Sequence, residues 1–316
     1  MKVIFMGTPE FSVGTLEALV KAGHEVCLAV TQPDKPKGRG KEVQYTPVKE
    51  AALCHGIEVY QPRRVREPEC VEYLRNYQAD IIVVVAFGQI LPKEILELTP
   101  RGCVNVHASL LPKYRGAAPI QWALIDGEEV TGVTTMQMDE GLDTGDMLLK
   151  TEVLITSDDT GDSLHDKLAA AGAALCVETL RRLEDGSILP EKQGESPTAY
   201  ARMLDKKMGN IDWTKSAGEI GRLVRGLNSW PGTYTYWNKK MVKIWNAGPE
   251  ENTEHAGEKT CPPGTVVRVG KDVFSVRTGD GLLAVREVQM PGKKRMDTGA
   301  FLRGYPLKEG DRFQRQ

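Results

Sequence analysis

Asp80-Ile81-Ile82-Val83-Val84-Val85-Ala86 is the stretch on which the fold turns. It is continuously apolar and rich in β-branched side chains, the pattern of a strand covered on both faces inside a parallel sheet. Toward the N-terminus, residues 2–6 form a second apolar run ending at Gly7-Thr8-Pro9. Residues 11–22 follow with Phe11, Leu16, Leu19 and Val20 near helical spacing, and Gly23 stops them. Residues 25–31 and 57–60 read as strands, separated by a helix that Thr46 caps and Pro47 opens. A helix over about 67–77 leads into the deciding run, and 103–107 is the next strand. Strands alternating with helices in this order predict an open, doubly wound α/β sheet. Such sheets hold ligands at the carboxyl ends of their strands, which here are residues 7–11, 86–91 and 105–111.

The later chain reads differently. Residues 158–185 predict one long helix, with Leu164, Leu168, Ala171 and Leu175 on its apolar face and Gly186 as its stop. Pro190, Gly194 and Pro197 give residues 189–198 the composition of a linker. After a helix over 216–227 come five short strands, 233–237, 240–245, 264–269, 273–278 and 282–289. Separated by Gly, Asn and Pro turns, they predict a small β-barrel of the oligonucleotide-binding type. The expected organisation is a first domain over 1–188, a linker over 189–205 and a barrel domain over 206–316.

A chain of 316 residues with 41% hydrophobic residues is long enough for two domains of roughly 150 residues, each with a core. No run approaches the ~18 apolar residues of a membrane span, and the N-terminal apolar stretch is too short for a signal peptide. The cytoplasm is the expected compartment. The six cysteines are scattered, and the five histidines form no HExxH, so no metal site is expected. Residues 1–200 hold 20 basic and 30 acidic side chains, whereas 201–316 hold 21 basic and 13 acidic. That imbalance predicts a polyanionic partner for the second part.

Asn105 and His107 share one face of their strand because side chains alternate. An amide and an imidazole at a strand end are costly to bury unless both find partners. Together they suit a preorganised pair, the amide donating to a carbonyl oxygen and the ring moving a proton near neutral pH. Residues 132–146 then run from a strand into a glycine-bearing loop holding Asp139, Glu140, Asp143 and Asp146. One of these carboxylates beside His107 would orient it, but spacing does not choose among the four. Residues 7–14 lack GxGxxG, and no GxxxxGK[ST] occurs, which disfavours a nicotinamide dehydrogenase and a P-loop NTPase. Residues 32–41 carry Lys35, Lys37, Arg39 and Lys41 among two prolines and two glycines. Helix or strand is improbable there, and a basic loop on the ligand edge suits contact with a phosphate backbone.

Four segments carry a resemblance: FMGTPEF (5–11), QPDKPKGRGK (32–41), NVHASLLPKYRGAAPIQWAL (105–124) and TGVTTMQMDEGLDTGDM (131–147). Asn-x-His with SLLP and a downstream GLDTGD resembles the folate-dependent formyltransferases. The basic loop and the second part resemble their tRNA-directed branch, the methionyl-tRNA formyltransferase family, over essentially the full chain. The match in the second part is diffuse and rests on WPGTY (230–234). The resemblance implies a Rossmann-like catalytic domain followed by an oligonucleotide-binding-like barrel, and Asn105, His107 and Asp143 as catalytic residues. It implies folate contacts at Ser109, Leu110, Leu111 and Pro112 and along Phe87, Gly88, Gln89, Ile90 and Leu91. It also implies tRNA contacts at Lys35, Lys37, Arg39 and Lys41. The implied reaction moves the formyl group of 10-formyltetrahydrofolate to the α-amino group of initiator methionyl-tRNA, by a monomer that needs no metal. A formyltransferase for an amino sugar nucleotide would share the trio without needing the basic loop or barrel. A tRNA-binding protein without catalysis would have no use for the trio.

Overall fold

The structure, a computed structural model, describes residues 1–37, 42–250 and 261–315, with 36, 37, 42 and 43 described by their backbone alone. It divides into two compact units, Met1–Pro119 with Val130–Leu154 and His165–Ala201, and Ile120–Glu129 with Ile155–Leu164 and Arg202–Gln316. The expected linker 189–205 is therefore divided at Ala201, and the first unit does not end at 188. No helix among the described residues is long and apolar enough to cross a membrane.

In chain order the earlier strands are β1 (Lys2–Gly7), β2 (Glu25–Val30), β3 (Lys35–Lys37), β4 (Glu42–Gln44), β5 (Val59–Tyr60), β6 (Ile81–Val85), β7 (Cys103–His107), β8 (Val130–Gln137) and β9 (Met147–Leu154). The helices are α1 (Glu10–Lys21), α2 (Pro47–Cys54), α3 (Pro68–Arg75), α4 (Lys93–Leu96), α5 (Pro119–Asp126) and α6 (Gly161–Asp185). The main sheet has the order β5-β2-β1-β6-β7-β8-β9. Its first five strands run parallel, and β8 and β9 extend it in antiparallel fashion. Every residue of β6 is buried, as its unbroken apolar run predicts. On one face Ile4, Met6, Ile82 and Val84 pack with Leu74 and Ile95. Within the first unit α6 buries Cys176 and Leu180 completely, and its Thr179 hydroxyl shares a 2.8 Å hydrogen bond with Thr135 of β8. Thr46 caps α2 by accepting from the Lys49 amide, with Pro47 in the first turn.

Two features depart from expectation. Lys35–Lys37 and Glu42–Gln44 pair as an antiparallel ribbon although two prolines and two glycines argued against strand. A two-stranded ribbon has only outer edges, where half the amides need no ladder partner, so Pro36 is tolerated opposite Val43. Strand β9 was not foreseen because Lys150 and Glu152 punctuate it, yet they are simply the exposed half of an alternating edge strand. Gly132 shows how tightly β8 and β9 meet there: a Cβ at that position would lie 2.0 Å from the Thr151 carbonyl oxygen. Gly132→Ala is expected to destabilise the protein by about 1–3 kcal/mol, the usual cost of overpacking, measured as a lower denaturation midpoint.

The second unit contains α7 (Ala217–Gly226), β10 (Thr233–Trp237), β11 (Lys240–Pro249), β12 (Val266–Val269), β13 (Phe274–Arg277), β14 (Leu282–Gln289), β15 (Met296–Asp297) and α8 (Thr298–Gly304). Ser216 and Glu219 form a reciprocal capping box that starts α7, which buries Ile220 and Val224. The antiparallel sheet has the order β10-β11-β14-β13-β12, with β15 beside β14. Its two outer strands are joined by the chain's last residues, since Gln314 bridges Tyr236 at β10 and Arg312 bridges Thr265 next to β12. Phe313, between them, is buried and stacks on Phe274 with ring centroids 5.7 Å apart. The sheet is thereby closed into a small barrel around an aromatic core.

Candidate active site

β7 is an interior strand, and this fixes the environment of its two polar side chains. Asn105 stands opposite Val84 of β6 and Met136 of β8, and His107 opposite Thr134. They are only 9% and 6% exposed. Buried polar groups are ordinarily hydrogen-bonded. His107 follows that rule, with Nε2 3.0 Å from the Tyr114 carbonyl oxygen. A carbonyl only accepts, so Nε2 carries a proton and donates it, leaving Nδ1 as the nitrogen that exchanges protons. Nδ1 lies 3.8 Å from Asp143 Oδ1, close enough for strong charge interaction and too long for a hydrogen bond. Asn105 differs: among the described residues its amide bonds to no other group, and because its polar atoms are not fully buried they face accessible space. The same strand holds Cys103, whose thiol burial pushes up to about 12, so it stays protonated and takes no nucleophilic part.

The loop between β8 and β9 separates the four acids by use. Asp139 is consumed inside the loop, accepting from the Gly141 amide at 3.0 Å and the Thr144 hydroxyl at 2.8 Å. Glu140 is exposed, and Asp146 serves through its carbonyl, which accepts from the Gln137 amide at 2.8 Å. Asp143 alone is aimed at His107. Its backbone takes the left-handed conformation, φ 57°, which Asp tolerates better than most residues. Its Oδ2 accepts from the Gly116 amide at 2.9 Å. The loop also needs Gly145, where a Cβ would fall 1.8 Å from the Gln137 carbonyl oxygen.

Residues that sequence reasoning did not single out hold this arrangement. Gln193 Nε2 donates to the carbonyls of Asp143, at 3.0 Å, and Gly145, at 2.7 Å, while Gln193 Oε1 accepts from Arg115 Nε at 2.9 Å. The Tyr114 amide donates to Thr198 Oγ1 at 2.7 Å. Tyr200 is half-exposed; partial burial and the Asp143 charge raise its hydroxyl pKa. The signal available in the sequence was weak, a Gln and a Thr among linker-type residues.

Of the segment 109–112, Ser109 is fully buried and its hydroxyl donates to the Lys113 carbonyl at 2.6 Å. Thr134 Oγ1 donates to the Ser109 carbonyl and accepts from the Leu111 amide, tying the segment to β8. Leu111 packs on Met136 and Met147, while Leu110 and Pro112 are half-buried, and the Leu111–Pro112 bond is cis. Beyond β6, Phe87 and Leu91 are buried, Gly88 is exposed with φ 79°, and Ile90 is 75% exposed. Gln89 is turned away, its amide bonded to Val65 N and Pro62 O.

Lys35 is exposed on β3, and Lys37 lies on the same strand. Arg39 and Lys41 lie outside the described residues. The root of this ribbon is anchored by Asp34, whose carboxylate pairs with Lys49 and accepts from Gln61 Nε2 at 2.9 Å. Lys49 also donates to Gln61 Oε1 at 2.8 Å and sits 3.9 Å over the Tyr45 ring. Desolvation works against the carboxylate, but the hydrogen bonds from Lys49 and Gln61 prevail and hold Asp34 below its ordinary 3.8. A depressed carboxyl pKa contributes stability above the unfolded value and loses it as pH falls through the folded one. The melting-temperature gap between the parent protein and Asp34→Asn is therefore expected to be open at pH 6 and to close below about pH 4.

A family model described as formyl transferase matches residues 1–180, and one described as formyl transferase, C-terminal domain, matches 203–306. A methionyl-tRNA formyltransferase of Agathobacter rectalis is 59% identical over 313 residues, 99% of each chain. The N-formyltransferase of Helicobacter canadensis, solved with folinic acid and dTDP-3-aminofucose, has a TM-score of 0.69 at 19% identity over 92% of this chain and 99% of that one. A variant of HypX from Aquifex aeolicus has a TM-score of 0.64 at 20% identity, all of this chain spanning 51% of it. These two likenesses are of fold alone, whereas the first is of sequence end to end. The chain belongs to the formyl transferase family, in the branch of the methionyl-tRNA formyltransferases.

Proposed function

We propose that the protein transfers the formyl group of 10-formyltetrahydrofolate to the α-amino group of methionine esterified to initiator tRNA. The observation that carries this reading is 59% identity over 99% of the chain with a methionyl-tRNA formyltransferase, met by an amide without a hydrogen-bond partner among the described residues, two positions along the strand from a histidine 3.8 Å from a carboxylate. The neutral amine attacks the formyl carbon, and negative charge develops on the formyl oxygen. Asn105 Nδ2 donates to that oxygen, and His107, protonated at Nδ1, adds charge stabilisation. Asp143 orients the ring and takes part in moving one proton from the attacking amine to the departing folate nitrogen. The bond to the amine forms first, giving a tetrahedral adduct, and the carbon–nitrogen bond to folate then breaks as its nitrogen takes the proton, with no redox change. The folate is assigned to the segments after β6 and β7, where Ile90 and Gly88 are exposed and Leu110 and Pro112 half-buried, with Gln32 Nε2 donating to the Gly88 carbonyl at 3.3 Å.

The deciding test supplies 10-formyltetrahydrofolate with charged initiator tRNA or with an amino sugar nucleotide. Formylmethionyl-tRNA, read as formylmethionine after the ester is hydrolysed in the assay, is the expected product, and a formylated sugar with none of it overturns the reading. Arg39→Ala is expected to raise the apparent KM for tRNA and flatten its dependence on salt, because each phosphate contact carries a share of counterion release. The KM for folate stays the same. Unchanged tRNA kinetics across a salt series would remove the basic loop from the proposal.

A further inference from the structure

We infer that residues 193–201 form a strap that positions the His107 and Asp143 pair, with Gln193 setting the carboxylate side and Thr198 the imidazole side. The inference rests on the site proposed above and adds residues to it. Gln193 donates to the Asp143 and Gly145 carbonyls and, at 3.9 Å, to Met136 Sδ, and accepts from Arg115. Arg115 in turn donates through Nη2 to the Gly194 carbonyl at 2.9 Å, and the next residue, Gly116, donates its amide to Asp143 Oδ2. The Asp143 residue is thus gripped by its backbone from Gln193 and by its side chain from the neighbour of Gln193's own partner. A left-handed non-glycine backbone persists only where its surroundings over-determine it.

On the other side, Tyr114 also has a positive φ, 56°, and its carbonyl is the acceptor that fixes His107 Nε2. Its amide is held by Thr198 Oγ1 at 2.7 Å. Ala201 completes the strap, its amide donating to the Arg115 carbonyl at 2.7 Å and its carbonyl accepting from Ala118 at 3.1 Å. One segment therefore governs both neighbours of the imidazole. The His107–Asp143 separation depends on the strap, whose Gln193 and Thr198 act through backbone groups of Asp143, Gly145 and Tyr114.

The test uses Gln193→Met, which keeps length and loses both carbonyl donations, and Thr198→Val, which keeps shape and loses the acceptor. Each is expected to lower kcat on the order of 100-fold, with KM for folate and tRNA little changed, since an ångström of misplacement has that effect. Thr198→Ser restores the acceptor and is expected to restore turnover. In an Asp143→Asn background Gln193→Met should add less than about twofold, because residues acting through one group are not additive. Full turnover in folded Gln193→Met and Thr198→Val overturns the inference, as does an additive loss in the Asp143→Asn background. Full turnover in Asp143→Asn alone is a separate result: it removes the site reading itself, and the strap's role with it.

Discussion

Asn105→Ala is expected to turn over at least ~100-fold more slowly while melting within a few degrees of the parent, as loss of an oxyanion donor costs about 3 kcal/mol of transition-state stabilisation. The pairing of a large kinetic effect with a small stability effect follows from the unspent amide. Removing a buried polar group usually strands its partner. Asn105 has no such partner among the described residues, so only the reaction loses a bond. Asn105→Asp makes the point more sharply, since it keeps the size and replaces the donor with a carboxylate, and it should be no faster than Ala. His107→Ala carries the opposite signature. It should lose at least as much rate, and it also removes the Nε2 hydrogen bond to the Tyr114 carbonyl, costing about 1 kcal/mol of stability. Kinetics beside thermal melts separate the two, and normal turnover in either folded variant overturns its assigned role.

Asp143→Asn is expected to lower kcat by about 10²- to 10⁴-fold, the span typical of a positioned proton-transfer group. The amide oxygen still accepts from the Gly116 amide, so the loop keeps its anchor and the loss reports charge rather than collapse. Gly145→Ala reaches the same end by geometry. Its Cβ would overlap the Gln137 carbonyl, so the loop must withdraw and carry Asp143 from His107 with every proposed catalytic side chain still present. Parent-like rates from Gly145→Ala would mean that the loop is slack and that the 3.8 Å approach is incidental.

Much of the first unit was legible because β6 and β7 are covered on both faces, and a strand in that position has to announce itself as an apolar run. The polar pair on β7 was legible for the converse reason, that Asn105 and His107 interrupt such a run. What stayed hidden were contributions made through groups every residue owns. The Tyr114 carbonyl fixes the tautomer of His107, and the Gly116 amide holds Asp143, yet neither depends on its own side chain. Gln193 and Thr198 stayed hidden because Pro and Gly around them speak of chain direction, not of what the chain passes over. The ribbon at 35–44 escaped because propensity weighs Pro36 alone, whereas pairing depends on which edge its missing amide faces.

The closure of the second unit has a consequence for synthesis. Thr235 donates its hydroxyl to the Gln314 carbonyl, 79 positions further on. A nascent chain leaving the ribosome N-terminus first therefore displays the free margin of β10 until nearly eighty more residues have been translated. Open strand margins recruit other chains. Slow elongation through this region would lengthen that exposure, as it would for the margin of β1, which waits a similar span for β6.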